Sequence, residues 1–151
     1  ILSGGALGAD TEAHEGAMLA SGKTIAVIPC GLNYDYLKAN MFLRGSIQDK
    51  GCLISELPPD TPLPRNAFQI RNRLMSAIAL GVVVVEAGEK SGALITARHA
   101  LEQGRDVFVI PGNPTDEKYK GSNELLRDGA TPLIDTSDVF NAVSRATTVG
   151  Q

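Results

Sequence analysis

Three stretches of this 151-residue chain have the residue types and spacing to hold an anion, and none of them completes a catalytic pattern. The first is Ser3-Gly4-Gly5-Ala6-Leu7-Gly8, placed just before a helical pattern. Glycines there let the backbone approach a phosphate closely, and the N-terminus of the following helix favours negative charge. Serine stands where G-x-G-x-x-G needs its first glycine, and the next strand ends at Ile28-Pro29 with no acid for a ribose hydroxyl. Nicotinamide and flavin binding are therefore not expected, and no cofactor is. The alternative for this loop is a tight turn that serves helix packing only. The second stretch, Glu89-Lys90-Ser91-Gly92-Ala93-Leu94-Ile95-Thr96, follows the most apolar strand and opens a helix. Lys90, the Ser91 hydroxyl and the amides of Gly92 and Ala93 could hold one phosphate, but the order of an NTP-binding P-loop is absent, so ATP hydrolysis is not supported. The third is Phe68-Gln69-Ile70-Arg71-Asn72-Arg73. Arginines flanking an asparagine suit phosphate oxygens, and an exposed Phe68 could stack on an unpaired base. A core phenylalanine with two surface ion pairs is the competing reading.

Catalytic groups are harder to find. His14 and His99 both fall inside helical patterns, and no Ser/His/Asp ordering is evident. Glu56 and Glu86 each follow a strand end. They could pair as carboxylates, but we favour a role in orienting Arg71, Arg73 or Lys90. Cys30 and Cys52 show no Cys-x-x-Cys spacing and no nearby histidine pair, so no metal site is expected and both read as buried thiols.

These residues must be positioned by an α/β scaffold. Thr24–Ile28, Leu53–Ser55, Val82–Val85 and Val107–Ile110 read as strands, continuously apolar as parallel strands covered on both faces are, with room for a helix between each pair. The fold class expected is a doubly wound, mostly parallel sheet: a Rossmann-like three-layer α/β/α arrangement over residues 1–146, with a flexible tail at 147–151. Asp10 is expected to cap a helix that turns Ala13, Ala17 and Met18 inward and stops at Gly22. A second helix runs from Ala93 to Gln103, before Gly104. A third runs from near Phe68 toward Gly81 with Ile70, Leu74, Ala77 and Ile78 on one face, so Arg71 and Arg73 cannot both point inward. Leu57–Pro64 holds four prolines and must be a stiff loop. Ile1 and Leu2 read as the end of a strand whose beginning is missing, as in a fragment.

The net charge of -3 argues against an extended basic surface, so any nucleic-acid contact must be local. Pro62–Leu80 carries three arginines and no acid, and Lys38–Lys50 has few acids, so a local electropositive site remains available. No apolar run approaches a membrane span or a signal peptide. The expected setting is cytoplasmic and soluble, without membrane association.

SGGALGADTEAH, IPCGLNYDYLKAN, PRNAFQIRNR, VVVVEAGEKSGALITARHAL and VFVIPGNPTDEKYKGSNELLRDGA, in that order, resemble the DprA/Smf family of DNA-processing proteins across nearly the whole chain. The resemblance implies a Rossmann-like domain that binds single-stranded DNA without catalysis, protects incoming strands during natural transformation and helps load the RecA recombinase. Carried over by position, it implies a DNA pocket of Ser3, Gly4, Gly5, Lys38, Asn40, Phe68, Arg71, Asn72, Arg73, Lys90, Ser91 and Gly92, completed by Asn113, Gly121, Ser122 and Asn123. It also implies that a first βα unit with a Gly-Ser-Arg loop would precede Ile1. Two departures stand out: Leu7-Gly8-Ala9-Asp10 where Arg-Gly-Ile-Asp is common, and Gln69 where proline is common.

Two other classes compete. A phosphoribohydrolase of the related LOG or lysine-decarboxylase-like type would need a PGGxGTxxE pattern, where this chain has Gly88-Glu89-Lys90-Ser91-Gly92-Ala93-Leu94-Ile95. An interaction module that dimerises or recruits a recombinase is the other, and the stretch from Leu125-Leu126 through Leu133-Ile134 to Val139-Phe140 offers apolar residues for a homodimer face.

Overall fold

The computed structural model describes residues 1–36 and 40–148. Contacts divide the chain into two compact units, residues 1–75 and 76–151. In the first, β1 (Leu2–Ser3), α1 (Ala9–Leu19), β2 (Ile25–Val27), α2 (Met41–Lys50) and β3 (Cys52–Ile54) alternate, and the strands pair in parallel in the order β1-β2-β3. Leu2 stands opposite Ile25, and Ile25 opposite Cys52. Helix α3 (Ala67–Ile78) starts in the first unit and ends in the second. The second unit continues with β4 (Gly81–Val84), α4 (Gly92–Glu102), β5 (Asp106–Val109), a short 3-10 turn (Glu117–Tyr119), α5 (Lys120–Arg127), β6 (Thr131–Pro132) and α6 (Thr136–Thr148). Its sheet is again parallel, in the order β4-β5-β6. Consecutive parallel strands require a crossover, and helices supply it. The α/β, parallel, Rossmann-like expectation is therefore met, with the strands grouped as two sheets of three.

The cores follow from the continuously apolar strands. In the first unit Ala26 of β2 packs with Leu43 and Ile47 of α2. In the second, Val84, Val107 and Val109 pack with Leu94, Ala97 and Ala100 of α4 and Leu125 of α5. Leu94, Ala97 and Ala100 recur at threefold spacing, which puts them on one helix face, and two alanines let α4 lie close on the strands.

Five local expectations are corrected. Asp10 does not cap α1: Gly8 does, at φ 90°, a conformation that favours glycine, and Asp10 sits inside the first turn. At the far end Ser21, not Gly22, takes the left-handed conformation, at φ 56°. Gly22 instead makes a close approach, since a Cβ there would lie 3.1 Å from the Ala17 carbonyl oxygen, a tight contact. On α3 the predicted apolar face is inverted: Ile70, Ala77 and Ile78 are exposed, while Ala67, Arg71, Asn72 and Ser76 are buried. Cys52 is exposed on β3, which closes one edge of its sheet; only Cys30 is a buried thiol. β6 had no strand signal, because it is two residues long and contains a proline, which only an edge strand tolerates.

Candidate functional site

The carboxyl ends of β1 and β2 are built around Arg71. This side chain is 7% exposed. Its Nη1 donates to the carbonyls of Gly4 (3.0 Å) and Val27 (2.7 Å), and its Nε to Asn72 Oδ1 (3.1 Å). Donors from α3 thus tie together the first glycine loop and the end of β2. Gly4 is dictated by that contact, because a Cβ there would fall 2.2 Å from Arg71 Nη1. Burial lowers the pKa of Arg71, partly countered by the nearby Tyr36 and Asp10. Of the pair that could not both point inward, Arg71 is the inner residue. Arg73 is half exposed and its Nη2 reaches both carboxylate oxygens of Glu56, at 2.6 and 2.7 Å. Glu56 orients an arginine, as expected.

Phe68 is 43% exposed, so it is neither core nor free. Tyr36 lies 6.1 Å away at a 53° tilt, and the Arg71 guanidinium stands 5.9 Å from the Phe68 ring centroid. Such tilted and cation–π contacts fix a ring's orientation while leaving its outer part open. Burial raises the Tyr36 pKa, with Arg71 opposing the shift. In the glycine loop the Ser3 hydroxyl donates to Asp10 Oδ1 (2.5 Å), and the Ala6 N–H to Asp10 Oδ2 (3.0 Å). Asn40 Nδ2 reaches Thr11 Oγ1 (2.8 Å) and the Gly5 carbonyl (3.4 Å). The loop is thus held from both sides. Lys38 lies outside the described residues. Tyr36, Asp10 and Thr11 were not singled out in the sequence as site residues. All three fall inside quoted motifs, and nothing in their spacing shows what they touch.

The second unit gathers its own predicted residues differently. Ser91 caps α4, its hydroxyl accepting from Ala93 N–H at 3.2 Å; Lys90 and Gly92 are exposed beside it. Gly121 and Ser122 are buried at the start of α5: the Ser122 N–H donates to Ala87 O (2.9 Å) and its hydroxyl to Tyr119 O (3.1 Å). A Cβ on Gly121 would sit 2.7 Å from the Gly88 carbonyl oxygen. Asn123 pairs with the backbone of Gly112 in both directions, at 3.3 and 3.2 Å. Asn113 Oδ1 accepts from the N–H and hydroxyl of Thr115. Lys120 is engaged by Glu89 at 2.9 Å, which raises its pKa. Charge separates the units too: residues 1–75 hold seven basic and seven acidic side chains, while residues 76–151 hold seven and ten. Local positive potential is thus easier to build in the first.

Among the described residues no cluster of His, Cys, Asp or Glu has the arrangement of a metal site, and no helix is long and apolar enough to cross a membrane. His14 is buried with Nδ1 2.6 Å from Thr24 Oγ1, and His99 lies 3.5 Å from Glu102.

A parallel α/β scaffold that places a glycine loop and a buried guanidinium at the carboxyl ends of its strands is of the Rossmann-like class. Residues 1–144 match the family model of DNA recombination-mediator protein A, and the chain belongs to that family. It is 41% identical over 140 residues to DNA processing protein DprA of Bacillus subtilis, covering 93% of this chain and 47% of that one. It is 40% identical over 141 residues to protein Smf of Escherichia coli, covering 93% of this chain and 38% of the latter. The chain thus spans about half or less of these curated relatives. The crystal structure of DNA processing protein A from Streptococcus pneumoniae superposes with a TM-score of 0.86 at 41% identity, over 93% of this chain and 50% of that one. DNA processing protein A of Helicobacter pylori, studied for its unique single-stranded DNA binding mode, superposes at 0.85 with 33% identity, over 97% and 66%.

Proposed function

We propose that this chain is the single-stranded-DNA-binding core of a DNA-processing protein and that it acts by binding, without catalysis. The observation that carries the reading is Phe68: a half-exposed ring flanked by Tyr36 and by Arg71, whose guanidinium also bonds the Gly4 carbonyl after β1. A pre-oriented aromatic ring next to a cation suits an unstacked base, and single strands are bound by such stacking platforms with backbone-tracking cations. In the first unit Lys38 and Arg73 are the proposed phosphate contacts, with Ser3, Gly4, Gly5, Asn40 and Asn72 as further members of the proposed site; in the second unit Lys90 is the proposed phosphate contact, with Ser91, Gly92, Asn113, Gly121, Ser122 and Asn123. Arg71 works from inside. The single-stranded DNA binding mode of the Helicobacter pylori relative supports the ligand class.

In this reading the protein is cytoplasmic, protects incoming strands during transformation, and helps load the RecA recombinase as a homodimer. Ile134 and Phe140, 77% and 71% exposed, are apolar residues of the predicted dimer stretch that face solvent.

The test is a salt series with a single-stranded oligonucleotide. Replacing Arg73 or Lys90 by Ala should weaken binding and flatten the plot of log affinity against log salt by about 0.7 for each phosphate that is no longer neutralised. Phe68→Ala should weaken binding by about 1–3 kcal/mol without changing the slope. Wild-type affinity and slope in the Arg73 and Lys90 variants would remove both from the site.

A further inference from the structure

Within the first unit a partly open cleft lies between the carboxyl ends of β2 and β3 and the first turns of α3. Its walls are mostly apolar: Ile28 and Pro29 on one side, Leu57 and Pro64 from the proline-rich loop, and Ile70 and Leu74 from α3. Two charged groups enter this lining, the buried Arg71 and the Glu56 carboxylate. An apolar cleft with a few polar groups entering it is the usual make-up of a site for a small organic group.

We propose that this cleft receives one unstacked nucleobase of a bound DNA strand and prefers a base that carries an exocyclic amine over thymine. The proposal rests on the single-strand reading above and adds a subsite to it. Apolar walls favour the faces of a base over its hydrated sugar and phosphate. The arginine supplies a cation for the π face or for a ring carbonyl.

Glu56 is the discriminating group. Arg73 holds it in place through both carboxylate oxygens, yet an ionised carboxylate has about four acceptor positions and can still take a donor from the cleft. Cytosine, adenine and guanine present an amine that can donate to it. Thymine at the matching position presents a carbonyl oxygen, which a carboxylate repels. An apolar peptide side chain seated there would press carbon against the carboxylate and desolvate it with no bond in return. The stiff Leu57–Pro64 loop keeps the cleft open, since four prolines limit how far that wall can relax inward.

The experiment is a competition between oligo-dC and oligo-dT of equal length against the chain at pH 7.5 and fixed salt, repeated for Glu56→Gln and for Ile70→Trp. Gln can turn its amide to donate to thymine or accept from cytosine, and Trp at the half-exposed Ile70 fills the mouth without disturbing the core. A charge-assisted hydrogen bond gives an expected preference for oligo-dC of about fivefold to tenfold in the wild type. That preference should shrink to near parity in both variants, with circular dichroism confirming that each is folded. Equal binding of oligo-dC and oligo-dT by the wild type would overturn the base pocket while leaving strand binding intact. A preference that survived both variants would overturn it as well. Failure of the wild type to bind either oligonucleotide would overturn the single-strand reading and the pocket with it.

Discussion

Replacing Arg71 by Met tests whether the site is braced from inside. Methionine keeps much of the side chain's length and apolar stem but removes every donor. Two main-chain acceptors, the carbonyls of Gly4 and Val27, lose bonds of 3.0 and 2.7 Å, and Asn72 Oδ1 loses one of 3.1 Å. An orphaned buried acceptor costs about 1–3 kcal/mol. Against this, removing a cation whose pKa is already lowered by burial returns part of its desolvation penalty. The expected net loss is about 2–4 kcal/mol, a large share of the roughly 5–15 kcal/mol that holds a typical domain. Gly4→Ala should destabilise through the same contact, because its Cβ would fall 2.2 Å from Arg71 Nη1 and push the guanidinium off both carbonyls. In the Arg71→Met background the Gly4→Ala substitution should then cost much less, so the two changes should be strongly non-additive. The assay is urea denaturation of the four proteins followed by far-UV circular dichroism. A loss below about 0.5 kcal/mol for Arg71→Met, within the range of an ordinary surface substitution, would refute the brace; so would simple additivity with Gly4→Ala.

Two further outcomes follow from the same geometry. Thr24 Oγ1 donates to the Ile1 carbonyl, so it accepts from His14 Nδ1–H, and the buried His14 Nε2 is left without a hydrogen-bond partner. Burial lowers the pKa of His14. The unfolded chain therefore takes up the proton first as pH falls below about 6.5, and stability should drop with a slope of up to about 1.4 kcal/mol per pH unit until the folded histidine also protonates. Denaturation between pH 7 and 5 should show this slope in the wild type and a flatter profile in His14→Asn, whose amide can keep the Thr24 bond without titrating. In the second unit, Asn123→Ala removes both bonds to Gly112 and should lower stability by about 1–2 kcal/mol; weakened DNA binding at unchanged stability would make Asn123 a contact residue instead.

The strands were the most legible part of this sequence. Val82–Val85 and Val107–Ile110 fall within one residue of β4 and β5, because uninterrupted apolar runs mark both strands, although Val83 of β4 is 42% exposed and that strand is not covered on both faces. Helix α4 was equally plain, closed by Ser91 at one end and Gly104, at φ 68°, at the other. Helix α3 shows the limit. Its apolar residues recur at helical spacing, yet the buried side is the polar one, since Arg71 finds acceptors 44 and 67 residues away in the chain. Periodicity records how apolar a face is, not which distant carbonyls can satisfy a guanidinium. The glycine loop divided the same way. Its composition marked a close approach, but at Gly4 the approaching group is the chain's own arginine.

Whether the half-exposed Phe68 ring accepts an unpaired base is tested most directly by competition between a single strand and a duplex of equal length at one salt concentration. Single strand should displace a labelled oligonucleotide at markedly lower concentration than duplex, and Phe68→Ala should reduce that difference by weakening the single-strand arm alone. Equal competition by duplex, unchanged by Phe68→Ala, would contradict the claim.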